Sequence, residues 1–220
     1  MDIMEAMRLR HSVRRYENKA IEGEVLDELK RAIDECNSES GLNFQLVLNE
    51  PKAFSGVMAR YGKFSGVSNY IALVGKKGKD LDRLCGYYGE KLVLKIQQLG
   101  LGSCWVALTY KKVPEAFTVR NGEKLTVVIS VGYAKARGVP HKSKDISKVS
   151  DVTDSSPSWY KQGVEAALLA PTAMNQQKFK FRLDGEKVTA SAGVGFYAKM
   201  DLGIAQYHFE VASGKKVDIK

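Results

Sequence analysis

The sequence predicts a protein of mixed α-helix and β-strand, because both kinds of element alternate in each half of the chain. The clearest strand is the nearly continuous apolar run 125–132, which is typical of a central strand that is covered on both faces of its sheet. Residues 178–192 predict a hairpin around Asp184 and Gly185, a favoured two-residue turn. We therefore expect sheets and helices in both halves of the chain.

The remaining elements follow from apolar spacing and from stop signals. Gly100 and Gly102 are expected to close a long third helix, since glycine commonly follows the last helical turn. The polar stretch 134–157 is expected to be a long surface connection that divides the chain. Helices are expected at about 2–10, 23–36, 80–100, 158–169 and 200–213, and further strands at about 44–49 and 70–75.

Length and composition bound the size and the charge of the protein. The chain has 220 residues, of which 44% are apolar, so it can bury one substantial core. We expect one domain over 1–220 with two related halves at about 1–140 and 150–220. Lysine and arginine number 34 against 25 aspartate and glutamate, a formal charge of +9. This excess favours nucleic acid, an anionic membrane surface or a phosphorylated small ligand, and charge alone does not choose among them.

Several classes of protein are not expected. The three cysteines are odd in number and lack CxxC spacing, which favours a reducing cytoplasm over a disulfide framework or a zinc site. The histidines lack the spacing of a helical metal site, so no metal is expected. No apolar leader or membrane-spanning stretch is seen, so neither export nor a membrane partner is expected. No zinc-finger, helix-turn-helix or RNP pattern supports a nucleic-acid partner.

A weak internal repeat relates the two halves. When the helices predicted at 23–36 and 158–169 are aligned, the residues that follow them read ESGLNFQ and PTAMNQQ, with Asn-x-Gln in register. A predicted strand follows each copy. The pattern favours two related α/β units, with chance similarity as the alternative.

Two arginines and a serine cluster in the segment RHSVRRY at 10–16, directly behind the first predicted helix. A guanidinium presents a planar fork of donors to oxyanions, so Arg10, Ser12 and Arg14 predict a site for a phosphate-bearing ligand. The alternative is a solvated basic helix end.

Four segments, taken together, make the chain resemble the FMN-dependent nitroreductase family, and within it a short branch with a duplicated and rearranged order. Three follow the usual order of the family: RHSVRRY at 10–16 resembles the opening motif, GLGSCWVAL at 100–108 the central turn, and LTVVISVGYAKA at 125–136 the late strand and loop. APTAMNQQ at 170–177 resembles the APSxxNxQ motif, but it lies near the C-terminus, and ESGLNFQ at the usual place lacks the proline.

The resemblance implies an α+β fold in which helices flank a central, mostly antiparallel sheet and one FMN is bound. NADH or NADPH would reduce the flavin, and a nitro compound, quinone or similar acceptor would take the two electrons. The chain would bind, orient and electrostatically tune the ring, so no catalytic side chain is expected. A homodimer or an intrachain pseudo-dimer would complete the site. The alternative is a flavin- or ligand-binding protein without reductase activity, because the first motif copy is degenerate and the 50–80 region is short.

The resemblance assigns the flavin phosphate, ribityl chain and pyrimidine edge to Arg10, Ser12 and Arg14. Arg14 is the candidate for tuning the ring, because a cation at the pyrimidine edge stabilises negative charge on the reduced flavin. His11 would contribute its backbone or its ring, with a structural role as the alternative. The backbone of Val106, Ala107 and Leu108 would approach flavin N5.

The C-terminal motif supplies the second group of implied flavin contacts. Its members are expected to offer backbone N–H and polar groups from a tight turn, and a helix-ending turn before a strand is the alternative. Lys142 and Lys144 would reach the flavin phosphate, unless their basic loop is simply solvated. Asn43 and Gln45 in the degenerate copy are expected to be structural, with a flavin contact of Ser40, Asn43 or Gln45 as the open alternative. The implied contacts of the motif itself are Pro171, Thr172, Ala173, Asn175 and Gln177.

Overall fold

The computed structural model describes residues 1–136 and 138–220, and Arg137 in the basic loop lies outside the described residues. The chain divides into two compact units. Unit 1 comprises Met1–Leu81 and Lys91–Pro140, and unit 2 comprises Asp82–Glu90 and His141–Lys220. The elements of each unit confirm the predicted α+β class.

Unit 1 is built on a four-stranded antiparallel sheet in the order β1-β2-β4-β3. β4 is an interior strand and its last six residues are buried, which confirms the central position predicted from the apolar run 125–132. The strands are β1 (Asn43–Val47), β2 (Tyr70–Lys76), β3 (Gly102–Val106) and β4 (Glu123–Gly132), and the helices are α1 (Ile3–Leu9), α2 (Gly23–Ser40), α3 (Val57–Tyr61) and the C-terminal part of α4 (Leu81–Gln98).

The helix boundaries of unit 1 follow from local chemistry. Asp2 caps α1 by accepting a hydrogen bond from Glu5 N at 2.8 Å. α2 buries Leu29, Ile33 and Cys36 on one face and ends at Gly41, whose φ of 70° is the left-handed conformation of a helix stop.

Unit 2 has a three-stranded sheet in the order β5-β6-β7, with β5 and β6 antiparallel and β6 and β7 parallel. A Cβ built at Gly203 would lie 2.0 Å from the carbonyl oxygen of Arg83, so this glycine permits α7 to approach α4 closely. The strands are β5 (Phe179–Asp184), β6 (Lys187–Ala192) and β7 (Val217–Ile219), and the helices are α5 (Ile146–Val149), α6 (Ser158–Ala167), α7 (Ala198–Ser213) and the N-terminal part of α4.

Several predicted boundaries were wrong. GLGSCWVAL was expected to form a turn, but Gly102–Val106 is strand β3, and Gly102 starts that strand instead of closing a helix. The predicted connection 134–157 contains the short helix α5. The hairpin turn is shifted by one residue to Gly185 and Glu186, because Asp184 still pairs with Lys187.

Strand β1 follows α2, and β5 comes after α6, in the order that the internal repeat requires. The two sheets differ in strand number and in pairing. The repeat itself stays a prediction.

Candidate functional site

The arginine-rich segment 12–16 of unit 1 is an extended chain held by backbone contacts on several sides. Ser12 pairs with Ser103 of β3, and Val13 N donates to Ser103 O at 2.9 Å. Arg14 O accepts from Ser65 N at 2.9 Å, and Tyr16 N donates to Ser65 O at 3.0 Å. Because the backbone carries these bonds, the guanidinium of Arg14 is not needed to fix the course of the segment.

Tyr16 anchors the far end of this segment. Its hydroxyl donates to Val13 O at 2.8 Å and shares a 2.8 Å hydrogen bond with Ser130 Oγ on β4. Gly132 accommodates the ring, since a Cβ there would lie 3.0 Å from Tyr16 Cδ1. Burial is the main cause that raises the pKa of Tyr16 above its ordinary value, so the phenol stays protonated and can keep donating.

Arg10, Ser12 and Arg14 all influence the pKa of the buried thiol of Cys104. Burial raises the pKa of this thiol, while Arg14, a hydrogen bond to the Ser12 side chain and Arg10 act in the opposite direction. Arg10 is 5% exposed, whereas Arg14 is exposed and its side chain has no hydrogen-bond or ion-pair partner within residues 1–136 and 138–220. The three residues that the motif singled out therefore lie together.

A cavity of about 440 Å³ in unit 1 is lined by Arg14, Val106 and Ala107. Its size falls within the roughly 300–1,000 Å³ of typical small-molecule sites. Trp105 also lines the cavity and is half-buried, whereas Leu108 is 70% exposed and lies outside the lining. The described lining residues include no aspartate or glutamate, so the wall is cationic and aromatic.

His11 lines a different cavity of unit 1, with a volume of about 420 Å³ and mainly apolar neighbours such as Leu9 and Leu101. A Cβ at Gly138 would lie 2.7 Å from His11 Cβ, so the chain after β4 packs directly on this residue. The structure therefore separates His11 from the cavity that Arg14 lines.

In unit 2, the segment 171–177 is organised by a buried carboxylate. Asp201 of α7 is 2% exposed, and it accepts hydrogen bonds from Ala173 N at 2.9 Å and from Gln176 Nε2 at 2.7 Å. Burial raises the pKa of Asp201 to about 6, against the opposing effect of these two donors. Sequence reasoning missed Asp201, because it lies 28 residues away from the backbone that it holds.

The amides of the same segment hold the lysine loop 142–144. Asn175 Nδ2 and Gln177 Nε2 both donate to Lys142 O at 2.9 Å, and Gln177 Oε1 accepts from Lys144 N at 2.8 Å. Lys144 Nζ donates to Gln176 O at 2.7 Å. The loop and the segment are thus brought together, chiefly by hydrogen bonds to backbone groups.

The backbone of this segment is unusual. Met174, Asn175 and Gln177 have φ values of 51°, 54° and 43°, which few residues other than glycine adopt. Thr172 Oγ1 accepts from Gln177 N at 3.1 Å and helps to close the turn that begins at Pro171. Such strain persists only where the surrounding bonds over-determine the conformation.

The degenerate copy in unit 1 makes hydrogen bonds within its own unit. Gln45 Oε1 accepts from Thr118 N at 2.8 Å, and its Nε2 donates to Thr118 O at 2.7 Å. Asn43 Nδ2 donates to Glu123 Oε2 at 3.1 Å, and Ser40 Oγ donates to Cys36 O. These contacts fit the structural role expected for Asn43 and Gln45.

Two further searches of the described residues gave negative results. Among residues 1–136 and 138–220, no three His, Cys, Asp or Glu side chains lie close enough together to hold a metal ion. In the same part of the chain, each helix is too short or too polar to cross a bilayer.

The fold is that of the nitroreductase class. The sequence model of the family described as "Putative TM nitroreductase" matches residues 2–213, so the chain belongs to this family. No curated protein matches the chain.

Solved structures share the fold. A "putative nitroreductase" from Thermotoga maritima is 24% identical, covers 96% of this chain and 83% of its own, and has a TM-score of 0.69. A nitroreductase-like protein from Streptococcus mutans is 16% identical, covers 69% and 97%, and has a TM-score of 0.56. A "putative NADH dehydrogenase/NAD(P)H nitroreductase" from Parabacteroides distasonis is 20% identical, covers 67% and 95%, and has a TM-score of 0.50. These similarities show the nitroreductase fold.

Proposed function

We propose that the protein is an FMN-dependent oxidoreductase that passes two electrons from NADH or NADPH to a nitro compound, quinone or similar acceptor. One observation carries the proposal: the side chain of Arg14 is exposed, has no hydrogen-bond or ion-pair partner in the described part of the chain, and lines a cavity together with Cys104, whose pKa Arg10 and Ser12 also influence. Because this guanidinium makes no hydrogen bond or ion pair with the described residues, it is available to bind a ligand. Family membership and the NAD(P)H in the name of the Parabacteroides relative support the same function.

The residues present fit a flavin nucleotide. FMN carries a phosphate, a polar ribityl chain and a flat ring whose pyrimidine edge is rich in acceptors. Arg10, Ser12 and Arg14 are donors suited to the charged and polar parts, and Val106 and Ala107 add backbone beside the cavity. The absence of carboxylates from the described lining avoids repulsion of an anion.

Bound FMN would supply the two-electron chemistry, in which NAD(P)H and H⁺ convert a quinone to a hydroquinone, or a nitro group to a nitroso group and water. Arg14 would hold the pyrimidine edge and stabilise the negative charge that arrives there with the electrons. Arg10 and Ser12 would orient the ligand from the buried side of the cluster.

The proposal extends to unit 2 and to assembly. Thr172, Ala173 and the lysine pair Lys142 and Lys144 would complete a flavin site, within one chain as a pseudo-dimer or across a homodimer. The ratio of bound flavin to protein, combined with the mass in solution, tests this. One flavin per monomeric chain supports the pseudo-dimer, and two sites per pair of chains supports the homodimer.

The test of the function is spectroscopic. The purified chain, incubated with FMN and desalted, should retain flavin absorbance that NADH or NADPH bleaches under anaerobic conditions. A nitroaromatic or a quinone should then restore the oxidised spectrum. A chain that stays colourless after incubation with FMN would refute the proposal.

A second candidate is a flavin-binding protein on the same scaffold without reductase activity. The observation that favours it is the engagement of Asn175 and Gln177 in bonds within unit 2, which leaves fewer polar groups for a ligand. Bound flavin that neither nicotinamide nucleotide bleaches would establish this alternative.

A further inference from the structure

The cavity of unit 1 contains a second cation that no sequence motif singles out. Lys63 lines it together with Arg14, and Tyr61 contributes a side chain that is 81% exposed. The side chain of Lys63 is exposed and, like that of Arg14, has no hydrogen-bond or ion-pair partner in the described ranges. If Arg14 serves the flavin, Lys63 remains for another ligand.

The turn that presents Lys63 is rigid. α3 ends at Tyr61, and a Cβ at Gly62 would lie 2.8 Å from Thr109 Cβ, so the turn is packed onto the loop after β3. Lys63 itself has a φ of 62°, an uncommon conformation for a lysine. Its amide donates to Arg60 O at 2.9 Å, and Phe64 N donates to Ala59 O at 2.9 Å.

The same turn is tied to the arginine segment. Ser65 N donates to Arg14 O at 2.9 Å, and Arg15 pairs with Ser65 in a parallel bridge. The backbones that carry Arg14 and Lys63 are therefore held in fixed register. Strained positions that the surroundings enforce are often functional, and here the strain places a lysine at a cavity.

We propose that Lys63 and Tyr61 form an acceptor subsite for planar aromatic molecules that carry an anionic substituent, such as a carboxylate. This inference rests on the proposed function, because the acceptor shares the cavity with the flavin. The ammonium group of Lys63 attracts the anion, and the faces of Tyr61 and Trp105 offer apolar contact to the aromatic ring. Lys63 thus selects among acceptors and does not take part in the electron transfer.

The test compares 4-nitrobenzoate with its neutral analogue 4-nitrobenzamide as acceptors for the FMN-loaded chain. Lys63→Gln should raise KM for 4-nitrobenzoate about three- to five-fold, the effect of losing one exposed ion pair, and leave kcat unchanged. KM for 4-nitrobenzamide should not change. Lys63→Glu should raise KM for 4-nitrobenzoate further, and added salt should weaken the preference of the unmodified chain only.

Lys30→Gln is the matched control, because it removes one exposed positive charge from α2, outside the cavity lining. Equal shifts in KM for the two acceptors, or equal effects of Lys30→Gln and Lys63→Gln, would overturn the subsite.

A binding measurement separates this inference from the proposed function. Equilibrium dialysis gives the Kd of 4-nitrobenzoate for the chain and for Lys63→Glu, with FMN in the buffer and without nicotinamide. A Kd that rises in the variant supports the subsite even where turnover is absent, in which case only the reductase proposal fails. If the Kd is the same for Lys63→Glu, or if 4-nitrobenzoate does not bind at all, the subsite is overturned regardless of turnover.

Discussion

Two segments that resemble nitroreductase motifs use their polar side chains in opposite ways. In unit 1, backbone hydrogen bonds to Ser103 and Ser65 hold the arginine segment, and the guanidinium of Arg14 stays available. In unit 2, Asn175 and Gln177 bond to the lysine loop 142–144, so their side chains hold the structure itself. Of the two segments, the one in unit 1 leaves a guanidinium available to a ligand, whereas the one in unit 2 uses its amides as an internal brace.

The difference has an energetic cause. An extended segment beside a sheet satisfies its own N–H and C=O groups through that sheet. A turn with three left-handed residues at positions 174, 175 and 177 has no neighbouring strand to bond its backbone groups. Side chains must therefore supply those hydrogen bonds. We therefore expect substitutions in unit 1 to change ligand binding and substitutions in unit 2 to change stability.

The largest expected effect is on the stability of unit 2. Gln177→Leu removes two bonds from Nε2, to Lys142 O and Asn175 Oδ1, and one bond to Oε1 from Lys144 N. Because Gln177 is 2% exposed, Lys144 N and Asn175 Oδ1 lose these hydrogen bonds in a buried setting, and the free energy of unfolding should fall by about 3 kcal/mol. Denaturant unfolding measures the loss.

Gln162→Leu on the exposed face of α6 is the control for this substitution and should change the unfolding free energy by less than about 0.5 kcal/mol. Unchanged stability of Gln177→Leu, together with weaker FMN binding, would instead make the C-terminal motif a ligand surface like that of unit 1.

Asp201 makes the brace of unit 2 sensitive to pH. The folded state raises the pKa of Asp201 from an ordinary value of 3.8 to about 6, so folding favours the protonated form. The stabilisation is complete below about pH 3.8 and is lost as the pH rises through about 6, a change of about 3 kcal/mol at most. The protection factor of the Ala173 amide, which corrects for the intrinsic pH dependence of amide exchange, should fall over this range.

Asp201→Asn supplies the control, because it cannot titrate. The unfolding free energy of the unmodified chain should fall more steeply between pH 4 and pH 7 than that of the variant. Parallel pH profiles would show that Asp201 does not govern the segment.

Local patterns predicted the fold class, strand β4 and the cluster of Arg10, Ser12 and Arg14, because each is encoded within a few consecutive residues. Features set by tertiary contacts escaped prediction. Asp201 is one of two acidic residues in α7, a helix with many apolar residues, and an acidic residue in such a helix is the signal that could have found it. Lys63 owes its position to a left-handed turn packed on Thr109, and no sequence period encodes that contact. Strand β3 was taken for a turn because glycines precede it.

Arg14→Ala tests the unit 1 side of the comparison. Loss of a hydrogen bond to a charged group costs about 1.5–3 kcal/mol, so the Kd for FMN should rise roughly ten- to a hundred-fold. The reduction potential of the FMN that still binds should fall, because the positive charge near the ring is lost. The free energy of unfolding without FMN should be unchanged.

Arg8→Ala is the matched control for Arg14→Ala, since Arg8 is an exposed arginine on α1. It should leave both the Kd and the potential as they are. Equal effects of the two substitutions would reduce the role of Arg14 to general surface charge.

Tyr16→Phe should have the smallest effect. It should change both the free energy of unfolding and the Kd for FMN. The substitution removes the hydrogen bonds to Val13 O and Ser130 Oγ while keeping the ring against Gly132. The free energy of unfolding should fall by about 1–2 kcal/mol, and the Kd for FMN should rise only a few-fold, because the backbone bonds still hold the segment.

Tyr133→Phe makes the same chemical change at a half-buried tyrosine after β4, and it should alter neither quantity. If Tyr16→Phe weakened FMN binding as strongly as Arg14→Ala does, the segment would depend on the tyrosine hydroxyl to position Arg14. Unit 1 would then brace its binding residues through side chains, as unit 2 does, and the contrast between the two units would fail.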